Sequence, residues 1–212
     1  MTIYHGDCRE ILPHLGPVDL VLTDPPYGVT YQSNRSVGKG ATPITNDGTR
    51  ISLRLYRQVV PLIRAGHVLW FTRWDAWPDV WQILGERLRL RGLLVWDKGT
   101  PGMGDLSHWG PSYELIASAG DGHIVGARDQ SVLQGYLPVP NSQRQHPAEK
   151  PVALLRYLIQ KLDAASVCDP FMGSGATLVA AKDLGRKAIG IEIEEKYCEI
   201  AAKRMSQGVL SL

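Results

Sequence analysis

The chain has 212 residues, enough for one sizeable core, and its 44% hydrophobic and 21% charged content excludes a disordered or collagen-like polymer. Its 23 Lys and Arg against 21 Asp and Glu leave a net charge of +2, which taken alone gives no reason to expect a nucleic-acid partner. No apolar run approaches the ~18 residues a membrane helix needs, residues 1–10 lack a basic-then-apolar leader, and Cys8, Cys168 and Cys198 form no CxxC pair for zinc, so a reduced, metal-free cytoplasmic protein without membrane contact is expected.

Short apolar runs alternate with helix-length segments, the pattern of a parallel sheet covered by helices. Strands are expected at 3–5, 18–23, 67–72, 93–96, 166–168 and 187–193, and helices at 9–15, 50–64, 75–90, 152–162, 175–184 and 194–205. Residues 113–118 and 123–125, separated by Gly120-Asp121-Gly122, are expected to pair as an antiparallel hairpin on one edge of the sheet. Residues 28–49 hold Gly, Ser, Thr and Asn with few apolar side chains and are expected to be mobile. Residues 128–149 are similarly polar, and Pro138, Pro140 and Pro147 discourage regular structure there. With no internal repeat or domain boundary visible, a single domain over 1–212 is expected.

In an open parallel sheet, ligands bind beyond the carboxyl ends of the strands. Asp7, Asp24, Lys98, Asp169 and Glu192 each follow or end an expected strand, so a parallel sheet would bring all five to one rim. The stretch Asp169-Pro170-Phe171-Met172-Gly173-Ser174-Gly175-Ala176-Thr177 joins a strand to a helix through glycines that let a ligand approach the backbone. It is neither the phosphate-binding P-loop nor the three-glycine dinucleotide fingerprint. What sharpens it is Glu192, about 20 residues on, where a carboxylate can accept both ribose hydroxyls of an adenosine-containing cofactor. In Asp24-Pro25-Pro26-Tyr27, two prolines directly after an apolar strand remove two backbone donors and stiffen the turn, leaving carbonyl acceptors beside the Asp24 carboxylate. An acceptor-rich cradle next to an aromatic plane suits a planar group carrying an NH2, stacked on Tyr27.

Thr23-Asp24-Pro25-Pro26-Tyr27-Gly28 together with Asp169-Pro170-Phe171-Met172-Gly173-Ser174-Gly175 resembles the amino-methyltransferases that methylate exocyclic nitrogens of DNA bases with S-adenosylmethionine. The catalytic motif precedes the cofactor motif, as in their beta class. Three further stretches match family motifs: His5-Gly6-Asp7-Cys8, Val95-Trp96-Asp97-Lys98-Gly99 and His146-Pro147-Ala148-Glu149-Lys150-Pro151. The resemblance implies a circularly permuted, Rossmann-like α/β fold with a mostly parallel seven-stranded sheet and an antiparallel edge hairpin. It implies that Asp7 and Cys8 contact the cofactor adenine, Glu192 the ribose, and Asp169, Pro170, Phe171, Gly173, Ser174, Gly175 and Thr177 the methionine part, with Lys150 facing the methionine carboxylate. Asp24 and the Pro25 carbonyl, framed by Pro26 and Tyr27, would accept hydrogen bonds from the target amine and free its lone pair for in-line attack on the sulfonium methyl.

Relatives acting on cytosine N4 commonly carry Ser where this chain has Asp24, so adenine N6 in double-stranded DNA is the expected target, reached by flipping the nucleotide out at a cost of a few kcal/mol. The charge of +2 is unevenly distributed: residues 28–100 hold 11 Lys and Arg against 5 Asp and Glu, a local +6, while 1–27 and 101–149 each come to −3. Arg50, Arg54 and Arg57 share one helical face and Arg35 and Lys39 lie within 28–49, so these five are the expected phosphate contacts. Trp74, Trp77 and Trp81 also have helical spacing and are expected in the core or in a dimer interface; beta-class relatives often form homodimers. Residues 126–145 are too few for the separate target-recognition region of family members with well-defined sites, so a minimal recognition loop and a short or relaxed recognition sequence are expected. Cytosine N4 stays open as an alternative target. A catalytically silent DNA-binding subunit would predict decay of the Asp-Pro-Pro-Tyr or glycine motif, and both are intact.

Overall fold

In the computed structural model, which describes residues 1–26, 49–100 and 109–206, the apolar runs become strands and the periodic segments between them helices. In chain order these are β1 (Thr2–His5), α1 (Cys8–Ile11), β2 (Val18–Thr23), α2 (Thr49–Val59), β3 (Ala65–Thr72), α3 (Trp77–Gly85), β4 (Leu90–Asp97), β5 (Tyr113–Gly120), β6 (Val132–Leu133), α4 (Val152–Lys161), β7 (Ser166–Asp169), α5 (Ala176–Asp183), β8 (Lys187–Glu192) and α6 (Glu195–Ser206). The helices expected at 9–15 and 50–64 stop early for one reason: Pro13 and Pro61 cannot donate to the preceding turn, and each chain tightens there into a short 3-10 turn, Leu12–His14 and Val60–Leu62. The expected mobile segment 28–49 lies outside the described residues but for Thr49. No helix among the described residues is long and apolar enough to cross a membrane.

The strands form one sheet in the order β1-β8-β7-β2-β3-β5-β4-β6, in which β5 runs against both of its neighbours while the other pairings are parallel. The mostly parallel α/β architecture is as expected, with two corrections. The antiparallel element lies inside the sheet rather than at its edge: 113–118 lengthens into β5, and 123–125 forms no strand. Both sides of β5 are occupied, by β3 from His67↔Gly120 to Thr72↔Leu115 and by β4 from Leu90↔Ala119 to Asp97↔Tyr113. Gly120, at a φ of +108° that favours glycine, then turns the Asp121 and Gly122 amides onto the Gly66 carbonyl at 2.8 and 3.0 Å, closing the end of β3 instead of starting a return strand. The second correction is the strand count, eight among the described residues instead of seven: two residues of the irregular 128–149 segment pair with β4 as β6.

The period-two alternation of buried strands decides which face each core residue serves. Leu20 and Leu22 of β2 and Leu69 and Phe71 of β3 pack with Leu154, Leu158 and Leu178 of α4 and α5 on one face. Val21, Val68 and Trp70 pack with Leu55, Tyr56, Val80 and Ile83 of α2 and α3 on the other. Each fully buried aliphatic side chain contributes roughly 1.5–3 kcal/mol. Of the tryptophan stripe expected in the core or in a dimer interface, Trp77 packs against the second of these cores. Trp74 is 63% exposed in the turn after β3, while Trp77 and Trp81 are half-buried with rings 4.7 Å apart on α3, which turns Val80, Ile83 and Leu84 fully inward.

With both faces covered, the rim remains. The carboxyl ends of the parallel strands and the amino end of the reversed β5 all arrive there.

Candidate active site

The Asp24 turn begins where β2 ends. Thr23 is buried and its hydroxyl donates to Asp169 Oδ1 at 2.8 Å, tying the root of the turn to the end of β7. Asp24 Oδ2 accepts from Lys150 Nζ at 2.5 Å. Lys150 is buried, lies 3.0 Å from Glu114 Oε2 and sits 5.2 Å from the centre of the Phe71 ring; Lys98 Nζ closes the group at 2.6 Å from Glu114 Oε1. Burial pulls the Lys150 ammonium down, but Asp24 and Glu114 outweigh it and hold it above the usual lysine range. Burial likewise pushes the Glu114 carboxyl up, and Lys150 and Lys98 outweigh it and keep it below the usual range. The four side chains form a row of alternating charge along the rim, to which β5 brings Glu114 only because it runs backwards.

The second half of the site is the turn from β7 into α5. Asp169 is buried and accepts from the Thr23 and Thr177 hydroxyls, at 2.8 and 2.7 Å, and from the Phe171 amide at 3.1 Å. Burial raises its carboxyl to about 6 against the pull of those three donors. Gly175 caps α5 in the left-handed conformation, φ +82°, and a Cβ there would lie 2.9 Å from Ala201 Cβ of α6, so the position requires glycine twice over. The Gly173 amide donates to Glu192 Oε2 at 3.0 Å and the Glu194 amide to Oε1 at 2.8 Å; burial nonetheless raises the Glu192 carboxyl. Arg204 of α6 pins the turn from behind, donating to the Ser174 carbonyl at 3.0 Å and to Glu149 Oε1 at 2.8 Å. His146 meets Tyr197 edge-on at 4.5 Å, and burial lowers its imidazole to about 4. Between the two turns lies a cleft lined by Asp24, His146, Lys150, Asp169, Phe171 and Gly173 among others.

At the far side of the glycine turn, His5 pairs with Glu192 and the Gly6 amide donates to the Glu192 carbonyl at 2.9 Å. Asp7 caps α1, accepts the Arg9 amide at 2.9 Å and is gripped by the Arg9 guanidinium, whose side-chain bond holds its carboxyl below the usual range. Cys8 is 5% exposed and its thiol, pushed up to about 12 by burial, belongs to the core.

The rim thus brings Asp7, Asp24, Pro25, Pro26, Lys150, Asp169, Pro170, Phe171, Gly173, Ser174, Gly175, Thr177 and Glu192 into one neighbourhood along the ends of β1, β8, β7 and β2. Arg54 and Arg57 stand exposed on α2, the latter 3.2 Å from Glu86. Tyr27, Arg35 and Lys39 lie outside the described residues, as does the Arg50 side chain. Glu114, Tyr56 and Arg204 carry no motif. A single acid opening an otherwise apolar strand was the one available signal for Glu114. No three His, Cys, Asp or Glu among the described residues converge as metal ligands.

Fold and rim together define a DNA methyltransferase of the beta-class amino type: a family model described as DNA methylase matches residues 70–203, more than half of the chain, and the chain belongs to that family. Among individual proteins it is similar to the type II methyltransferase M2.LlaDCHI of Lactococcus lactis subsp. cremoris, 37% identical over 97% of this chain and 89% of that protein. It is also similar to the DNA adenine methyltransferase YhdJ of Escherichia coli, 26% identical over 96% and 82%. The crystal structure of the M1.HpyAVI-SAM complex superposes with a TM-score of 0.73 at 24% identity, covering 97% of this chain and 99% of that one.

Proposed function

We propose that this chain transfers a methyl group from S-adenosylmethionine to the exocyclic N6 of adenine in double-stranded DNA, acting on a nucleotide flipped out of the stack. One observation carries the reading: the Thr23–Asp169 hydrogen bond makes the acceptor turn and the glycine turn two walls of the same cleft. The relative named as an adenine methyltransferase supports the base, and the neighbour solved with SAM supports the cofactor.

The residues present fit that cofactor. Gly173 adds no side chain to the cleft, so a ligand can approach the backbone of the turn there. The backbone-anchored Glu192 carboxylate retains acceptor capacity for ribose hydroxyls. In this reading Asp7 and the Cys8 backbone take the adenine, and the Asp169–Gly175 turn with Thr177 takes the methionine part. S-adenosylmethionine supplies a methyl on a sulfonium, open to in-line displacement. Asp24 and the Pro25 carbonyl accept the amine hydrogens and draw the nitrogen lone pair out of the ring system, so catalysis is positioning and electrostatics. We assign Lys150 to orienting Asp24; its ion pairs with Asp24 and Glu114 support this over contact with the methionine carboxylate. Arg54 and Arg57, with Arg35, Lys39 and Arg50, hold phosphates. Recognition is short or relaxed, and the active form is a homodimer.

The test is incubation of DNA with labelled S-adenosylmethionine, followed by digestion and nucleoside separation, with Asp24→Ala as control. Label in N6-methyladenine that the variant loses is the expected result. Label in N4-methylcytosine would overturn the base assignment, and equal incorporation by the variant would overturn the mechanism.

A further inference from the structure

The acceptor turn is held from a second side, by the helix that carries the arginines. α2 turns Tyr56 inward, 1% exposed, and Arg54 and Arg57 outward. The Tyr56 ring meets Trp70 of β3 edge-on with centroids 5.1 Å apart, and Trp70 meets Phe171 of the glycine turn in the same way at 6.4 Å. From this packed position the Tyr56 hydroxyl donates to the Pro26 carbonyl oxygen at 2.5 Å. Proline rings fix φ at both 25 and 26, so ψ is the freedom left to the turn, and a buried hydrogen bond to the Pro26 carbonyl removes it there. The bond also distinguishes two otherwise similar acceptors. The Pro26 oxygen is occupied, whereas no described residue donates to the Pro25 oxygen.

We propose that Tyr56 is a positioning residue for methyl transfer. By holding the Pro26 carbonyl it sets the Asp24–Pro25 acceptor pair. Because it rides on α2, the outer face of which meets phosphate, DNA engagement and acceptor alignment come from one rigid element. This rests on the reading of Asp24 and Pro25 as acceptors of the amine, and the experiment separates the two claims.

Full-length wild type, Tyr56→Phe and Asp24→Ala are compared in three measurements: S-adenosylmethionine affinity by calorimetry, affinity for a labelled duplex by fluorescence anisotropy, and the single-turnover rate of label transfer. Tyr56→Phe keeps the ring contacts with Trp70. The expected result is a transfer rate lowered about 10- to 100-fold, as for a small misplacement of reacting groups, with both affinities within about twofold of wild type. A wild-type rate in Tyr56→Phe beside an inactive Asp24→Ala overturns the role of Tyr56 and leaves the acceptor reading standing. A rate loss matched by weakened cofactor binding, or by a melting temperature lowered more than ~5 °C, shows a merely structural part and also overturns it. Wild-type activity in Asp24→Ala overturns both.

Discussion

Asp169→Asn is expected to make the protein more stable at neutral pH while impairing it as an enzyme. Asp169 has a carboxyl raised to about 6 from an ordinary 3.8, because burial disfavours its charge more than Thr23, Thr177 and the Phe171 amide favour it. A carboxyl whose folded value is raised stabilises the fold while protonated, below about pH 4, and that contribution is lost as pH rises through 6. At roughly 1.36 kcal/mol for each pH unit between those two values, ionising it inside the fold costs about 3 kcal/mol at pH 7–8. Asparagine resembles the protonated acid: Oδ1 keeps the Thr23 and Phe171 donors, and the Thr177 hydroxyl rotates to accept from the new amide. The variant should therefore exceed wild type by up to about 3 kcal/mol near pH 8, or roughly 6–12 °C in Tm for a domain of this size, and the gap should roughly halve by pH 5. His67 and His146, both held down to about 4 by burial, move the wild-type curve in the opposite sense, losing stability as pH falls below 6.5, so the readout is the variant-minus-wild-type difference in urea unfolding across the pH series. A variant less stable than wild type at pH 8, or a gap independent of pH, would refute the reasoning.

Lys150→Met leaves Asp24 and Glu114 without the ammonium between them; a loss of about 3–5 kcal/mol and of activity is expected, checked by denaturant titration and label transfer. Gly175→Ala forces a side chain into the left-handed region and against Ala201, so a destabilisation of about 1–3 kcal/mol is expected, with cofactor affinity lowered in calorimetry. Arg54→Ala on the exposed face of α2 should leave stability within about 0.5 kcal/mol and reduce the salt slope of duplex binding by about 0.9, read by anisotropy over a salt series.

What the sequence could convey followed the range of the forces involved. β2 was legible to the residue, 18–23, because a largely apolar run, with Asp19 near its start, is bounded by Pro17 and the Asp24-Pro25 turn. Asp24, Asp169 and Glu192 were legible because each closes such a run, and the glycine turn because its backbone requirement is local. The place of β5 was not, since its pairing with β3 and β4 is a long-range choice that Gly120-Asp121-Gly122 disguised as a hairpin turn. Tyr56 has the spacing of an ordinary inward-facing helix residue, and nothing nearby in the chain betrays a bond to Pro26. Arg204, a cation in the last turn of a helix, has a sufficient local explanation in the helix dipole; its grip on Ser174 and Glu149 emerges only once α6 packs. Trp74 kept the helical spacing of its neighbours but falls in the turn before α3, outside any helical face.

The pairing of β1 with β8 has a consequence for the order in which a newly made chain becomes able to work. Thr2 pairs with Ile189 and His5 with Glu192, and among the described residues β8 is the one sheet neighbour of β1. At ribosomal rates of roughly 5–20 residues per second, β1 emerges some ten to forty seconds before its partner exists. During that interval Gly6 has no Glu192 carbonyl to bond, although β2, β3 and the Asp24 turn are already synthesised. Both turns of the rim wait on late residues, the Asp24 turn on Lys150 and Asp169 and the glycine turn on Glu192, so the rim is completed in a single late step.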